Sequence, residues 1–326
     1  MEWKKIIEVE VEIDAGYVYD IELESNHYFA ANNIVTHNCR LKNEVQNNDF
    51  SYSLGAGGVS TGSKNVITIN MNRLVQSDEK LEDVIKRVQK YQIGFDIHFR
   101  EWQKDKLLPV YDAGFINLDK QYLTLGINGL VESAQYLGYN IDYNREYIDY
   151  IQGVVKTFKE LNTEAKKEFG LSFNTEIVPA ENLGVKNSNW DKADGLITYR
   201  DCYNSYFYIV EDPIPHLDKM KLHGHELVDF LDGGSAFHDN RNKRLSHDQY
   251  KQLLNNLIIT GCNYYCENVK KTCCNACGYI TADTYLKCPE CGSEDVDYAA
   301  RVIGYLKKIN NYSEDRQIEA HKRVYQ

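Results

Sequence analysis

Two Cys-x-x-Cys pairs, Cys274/Cys277 and Cys288/Cys291, constrain this chain more than any other feature. They lie ten residues apart in "CCNACGYITADTYLKCPECGSED", residues 273–295. Each pair turns two thiolates toward one point, and two such turns supply the tetrahedral sulfur set that structural zinc prefers. Gly278 and Gly292 follow the pairs and permit the tight backbone reversals this requires. Disulfides and an iron–sulfur cluster are the other uses of four such thiols, and a reducing compartment disfavours the first. Cys273 stands beside Cys274 as a spare ligand. A closed four-cysteine zinc site staples structure rather than catalysing.

Most of the nine cysteines fall from Cys262 to Cys291. The 326 residues suffice for one large domain or two to three small ones, and a formal charge of −11 argues against a general nucleic-acid binder. No apolar run is long enough to span a bilayer. In the opening "MEWKKIIEVEVEID" acidic residues break what would be the apolar region of a signal peptide. The chain therefore reads as cytoplasmic.

"IEVEVEID" (7–14) alternates apolar and acidic residues with period two, as a half-buried strand does. "YVYDIEL" and "NNIVTHN" read as further strands, so residues 1–38 are expected to be all-β and too few to bury a core alone. After Cys39 the pattern changes. "SLGAGGVSTGS" (53–63) is a glycine-rich loop and "NVITINMN" (65–72) a strand. Ser77 is expected to cap a helix with Asp78 and Glu79 in its first turn, and Leu81, Val84, Ile85 and Val88 keep the helical period. Helix is predicted over 80–105 and 145–168. "YNSYFYIV" (203–210) reads as an aromatic strand. "LVDFLDGGSAFH" (227–238) reads as a helix or strand entering a Gly-Gly turn, and residues 246–265 as a helix ending in a strand. Loop, strand and helix alternate, which predicts an α/β body.

Residues 18–39, "VYDIELESNHYFAANNIVTHNC", resemble the C-terminal end of an intein, a self-splicing element. The matching residues are Asp20, His27, His37, Asn38 and Cys39. The chemistry suits these types. Cys39 can accept an acyl group as a thioester, and Asn38 can cyclise onto its own carbonyl to cleave the bond to Cys39. His37 and His27 can move the protons. The short span ahead of the junction leaves no room for the other intein half, so the resemblance implies a split intein whose N-terminal fragment lies on another polypeptide.

"RVIGYL" (301–306), just after the four cysteines, resembles the glycyl-radical loop of the anaerobic (class III) ribonucleotide reductases, with Gly304 as the radical carrier. An α-carbon radical on glycine is delocalised over the flanking amides, and without a side chain it can stay planar. "CRL" (39–41), "GAGGVSTGSKNVITINMNRL", "VPAENLGVKN", "DCYNSYFY" and "LDGGSAFH" also resemble pieces of that family's catalytic barrel. The resemblance makes Cys39 the thiyl-radical cysteine as well as the splicing nucleophile. It implies an activase using S-adenosylmethionine and an iron–sulfur cluster, a structural Zn²⁺ on Cys274, Cys277, Cys288 and Cys291, and a ribonucleotide substrate. Gly57, Gly58, Ser60, Asn204 and Ser205 are candidates to hold that substrate, with Glu181 a further polar candidate. The loop Gly55-Ala56-Gly57-Gly58 lacks the Asn that formate users carry there, so the reductant is formate or a thiol, with Cys202, Cys262 and Cys266 as redox candidates or buried bystanders.

The expected organisation is an intein (Hint-type) fragment over 1–38 and part of a ten-stranded α/β barrel over 39–265. A zinc-binding knuckle over 266–295 and the glycyl-radical loop and tail over 296–326 follow. The expected function is one half of an anaerobic ribonucleotide reductase, joined to its N-terminal half by trans-splicing and homodimeric afterwards, with no membrane or direct nucleic-acid partner. The alternatives are a glycyl-radical enzyme for another substrate and a zinc-containing structural or repair subunit.

Overall fold

The computed structural model describes residues 62–326 except 115, 178–181, 263, 282 and 303–305, and upstream only the backbone of four short strands. Those strands form two antiparallel pairs. β1 (Tyr28–Ala31) pairs with β2 (Ile34–His37), and β3 (Lys42–Val45) with β4 (Asp49–Tyr52). The strands expected at 7–14 and 17–23 lie outside the described residues.

The body is built on a parallel sheet in the order β5 (Ser63–Asn70), β6 (Tyr122–Asn128), β7 (Phe173–Ile177) and β8 (Gly234–Ser235). Parallel neighbours need long crossovers, and helices supply them. After β5 come α1 (Met71–Val75), α2 (Leu81–Lys104) and α3 (Pro109–Asp112). After β6 come α4 (Leu130–Tyr136) and α5 (Arg145–Phe169). α2 packs on β5, β6 and α5, while α5 packs on β7. β6 is covered on both faces, so its sequence "YLTLGIN" is apolar almost throughout, and Leu123, Leu125 and Ile127 are fully buried. Phe158 and Ile151 of α5 close over the sheet. Burial of each such side chain contributes about 1.5–3 kcal/mol.

α6 (Leu183–Ala193), α7 (His216–Leu222) and α8 (His225–Val228) lead to a second parallel pair, β9 (Phe237–Arg241) with β10 (Tyr265–Val269), bridged by α9 (His247–Thr260). The C-terminal unit is an antiparallel sheet in the order β11 (Lys271–Cys274), β12 (Val296–Arg301), β13 (Leu306–Lys308), followed by α10 (Glu314–Lys322).

Three local expectations need correction. Ser77 does not cap a helix; α2 starts at Leu81 behind Lys80, with Glu82 and Asp83 in its first turn. The Ser77 hydroxyl instead donates to the Leu74 carbonyl, closing the end of α1, and Glu79 pairs with Arg87. The run "NVITINMN" is not strand to its end. Asn70 caps α1 by accepting from the Arg73 amide, so Met71 and Asn72 are helical. Residues 203–210 form no strand. Their backbone is bonded outside any ladder: the Asn204 amide donates to Glu132, the Val210 amide to the Asn204 side chain, and the Tyr203 amide to the Gly184 carbonyl. The aromatic pattern reflects complete burial, not strand geometry.

Candidate functional site

The four knuckle sulfurs come together. Their Sγ atoms all lie within 4.8 Å of one another, with Cys274 to Cys291 at 3.6 Å and Cys277 to Cys288 at 3.7 Å. A tetrahedron of ~2.3 Å zinc–sulfur bonds has edges of about 3.8 Å, so the four residues fit the ion. The two turns repeat one design. The Gly278 amide donates to the Cys274 carbonyl and the Gly292 amide to the Cys288 carbonyl, and both glycines take positive φ (78° and 74°). The Cys277 amide donates to the Cys274 sulfur at 3.4 Å, a hydrogen bond that favours a ligating thiolate there. Cys273 lies outside the cluster; it pairs with Asp297 in the β11–β12 ladder.

A buried polar network lies at the C-terminal ends of β5 and β6, the edge where open parallel sheets gather ligand-binding groups. Asp191 of α6 is its hub. It is fully buried and accepts from the side chains of Asn70, Asn72, Arg73 and Tyr203 at 2.7–3.1 Å. Burial, and then the Asp191 carboxylate, push the Tyr203 phenol upward, so its hydroxyl stays a donor. Beside it, Glu132 of α4 pairs with Arg200 and accepts from the Asn204 amide. Gly184 is fixed by close approach, because a Cβ there would meet the Tyr203 carbonyl at 2.6 Å and the Cys202 sulfur at 3.1 Å.

Residues 202–206 then form one wall of a tight recess with room for about one water molecule, completed by Val302 just past β12 and by Arg316, Glu319 and Arg323 of α10 and its exit. β12 therefore runs from the thiol cluster at one end to this recess at the other.

Of the residues singled out in the sequence, Asn204 and Ser205 line the recess. Both ends of the Asn204 side chain are engaged within the protein, by Glu132 and by the Val210 amide. Cys202 lines it too, and burial pushes its thiol up to about 12, as it does for Cys262. Of His37 only the backbone is described, at the end of β2. Asp20, His27, Asn38, Cys39, Gly57, Gly58, Ser60, Glu181 and Gly304 lie outside the described residues. Sequence reasoning did not find Glu132, Asp191, Arg200, Arg316, Glu319 or Arg323. The last three share a helical face at i, i+3 and i+7, a stripe that ordinarily reads as solvated surface.

A family model described as "Anaerobic ribonucleoside-triphosphate reductase" matches residues 3–325. The match begins upstream of Cys39 and does not set residues 1–38 apart. The chain is similar to a solved structure described as an anaerobic ribonucleotide reductase, with 25% identity and a TM-score of 0.74, covering 82% of this chain and 45% of that one. It is also similar to the anaerobic ribonucleotide reductase from Thermotoga maritima with dATP bound in the specificity site, at 25% identity and a TM-score of 0.68 (77% and 44% covered). The complex of that enzyme with dATP and CTP resembles it in fold, at 24% identity and 0.71 (80% and 45% covered). The chain thus spans less than half the length of these structures. No curated protein matches it.

Proposed function

Since the chain belongs to the anaerobic ribonucleoside-triphosphate reductase family, we propose that it is the C-terminal part of such a reductase, delivered by trans-splicing. One observation carries this reading: β12 joins the four-thiol cluster to the recess, and the chain passes from Val302 directly toward Gly304. The family's radical glycine follows its metal knuckle in the same order.

In this reading residues 1–38 are the C-terminal fragment of a split intein, and the remaining length of the reductase comes from a polypeptide carrying the N-terminal fragment. Asn38 cyclises, His37 and His27 move protons, Asp20 supports them, and Cys39 takes the incoming acyl group. A bound zinc would be held by Cys274, Cys277, Cys288 and Cys291, and it supplies cross-linking rather than chemistry. A radical-forming activase using S-adenosylmethionine removes a hydrogen atom from Gly304. The glycyl radical takes the thiol hydrogen of Cys39. The resulting thiyl takes the ribose 3′-hydrogen atom, and the 2′-hydroxyl takes up a proton and leaves as water. Formate, oxidised to carbon dioxide, or a pair of thiols, oxidised to a disulfide, supplies two electrons and the hydrogen that C2′ gains. Cys39 then returns its hydrogen atom to C3′, which restores the thiyl and from it the glycyl radical. Gly57, Gly58, Ser60, Asn204 and Ser205 surround the ribonucleotide. The product serves DNA synthesis in the cytoplasm, and the joined enzyme works as a homodimer.

Intact mass spectrometry with the N-terminal partner tests the splicing. A ligated product starting a new peptide bond at Cys39, lost in Asn38→Ala, supports it; no ligation overturns it. Electron paramagnetic resonance after activation tests the enzyme. A glycyl doublet absent from Gly304→Ala, together with deoxyribonucleotide formation, is the expected result.

A further inference from the structure

β12 and β13 pair as far as Arg301 and Leu306, and the chain leaves that ladder at Val302. What holds this exit is side-chain chemistry. Asn268 brackets Arg301 as a strand neighbour would. Its amide nitrogen donates to the Arg301 carbonyl at 2.9 Å, and its oxygen accepts from the Arg301 amide at 2.7 Å. Arg323 then spans the next step. One arm of its guanidinium donates to the Arg301 carbonyl at 3.1 Å, and the other donates to the Val302 carbonyl. Its third nitrogen, Nε, donates to Glu319 one turn back, and the other Glu319 oxygen accepts from Arg316 at 3.0 Å.

The guanidinium is therefore fixed at all three nitrogens. Its side chain is 1% exposed. Burial opposes its charge, and the Glu319 carboxylate outweighs that. The residue after Arg323 is anchored too: the Val324 amide donates to the Val210 carbonyl at 3.0 Å, and the Gln326 amide to Asn240 at 3.1 Å. One planar fork thus ties two successive carbonyls of the loop entrance to a tail bonded into the body. A lysine would supply the charge but not the fork.

We propose that Arg323, oriented by Glu319, is a positioning residue that fixes the entrance of the loop carrying Gly304 for hydrogen-atom transfer. The inference rests on the reading of Gly304 as the radical carrier. Such transfer needs reacting atoms in near contact, and a misplacement of about 1 Å can cost on the order of 10²-fold in rate.

Two measurements test it. The first is hydrogen exchange on this chain, comparing wild type with Arg323→Lys and Glu319→Gln. Amides of a peptide covering 299–308 should exchange about tenfold faster in Arg323→Lys, and less so in Glu319→Gln, while those of β6 and the zinc content stay unchanged. The second uses the joined, activated enzyme. Product formed per spin of glycyl radical should fall by on the order of 10²-fold in Arg323→Lys, while the yield of radical spins per chain stays at the wild-type level. Wild-type exchange and wild-type turnover per radical in both variants overturn the proposal. Faster exchange with unchanged turnover per radical also overturns it, leaving a purely structural tie. Loss of β6 protection in Arg323→Lys shifts the decision to Glu319→Gln, which must then show both effects. A wild-type enzyme without a radical on Gly304 overturns the functional reading itself, and is recognised by the spectrum whatever the exchange shows.

Discussion

In the body, sheet β5–β8 and helices α2 and α5 bury a continuous apolar core running from Ile69 to Leu257. Among the described residues of the C-terminal unit, five buried side chains, Ala300, Val302, Ile309, Tyr312 and Ala320, form the cluster, with Tyr298 and Tyr325 packed against it. So small a core cannot hold a fold alone, and units of this size rely on staples. Here the staples are the four thiols at one end of β12 and the Arg316–Glu319–Arg323 triad at the other. The two regions teach that burial supports a broad sheet, whereas the narrow β12–β13 hairpin is set by directional ties.

The sharpest way to break this contrast is to remove one of the four thiols. With the cluster holding zinc as proposed, Cys291→Ser should drop bound zinc from one per chain toward none. It should also unfold the C-terminal unit, since structural zinc contributes apparent energies of ~10–16 kcal/mol in small domains. Metal analysis and exchange in 271–301 read this, and β6 should stay protected. Phe158→Ala does the converse. Phe158 is fully buried on α5, and its loss should cost about 3–5 kcal/mol in urea unfolding of the body while leaving zinc bound.

Acidity should also separate the regions. His223 is packed among Phe207, Tyr208 and Phe237, and burial lowers its pKa to about 3. An unfolded histidine titrates near ~6.5, so between these values the unfolded chain binds the extra proton. Body stability should therefore fall as pH falls from about 6.5 toward 3, by up to ~1.4 kcal/mol per unit. His223→Gln should flatten the slope, as read by unfolding at a series of pH values. The smallest effect belongs to α9, whose start is closed by a capping box between Ser246 and Gln249. Ser246→Ala should cost about 1 kcal/mol, seen in the same unfolding curves, and should not alter zinc content.

Much of the scaffold was legible because its signals are local. The period through Leu81, Val84, Ile85 and Val88 marks α2, and the paired Cys-x-x-Cys turns mark the cluster. What stayed hidden depends on partners distant in sequence. Asp191 becomes a hub only when β5 brings Asn70 and Asn72 to it, and Arg323 becomes a clamp only when β12 ends beside it. Residues 203–210 misled for the same reason. Their apolar run reports burial, and what their backbone pairs with is decided by Glu132 and Gly184. Ser77 misled locally, because its hydroxyl closes the preceding helix instead of opening the next.

The parallel order of β5, β6 and β7 also governs the time course of folding. Each neighbour must be found across a whole helical crossover, residues 71–121 and then 129–172. Closing such long loops before any ladder forms slows folding. The β12–β13 hairpin joins residues close in sequence, and the thiol pairs lie close by. The C-terminal hairpin should therefore assemble early, with the body sheet condensing after it.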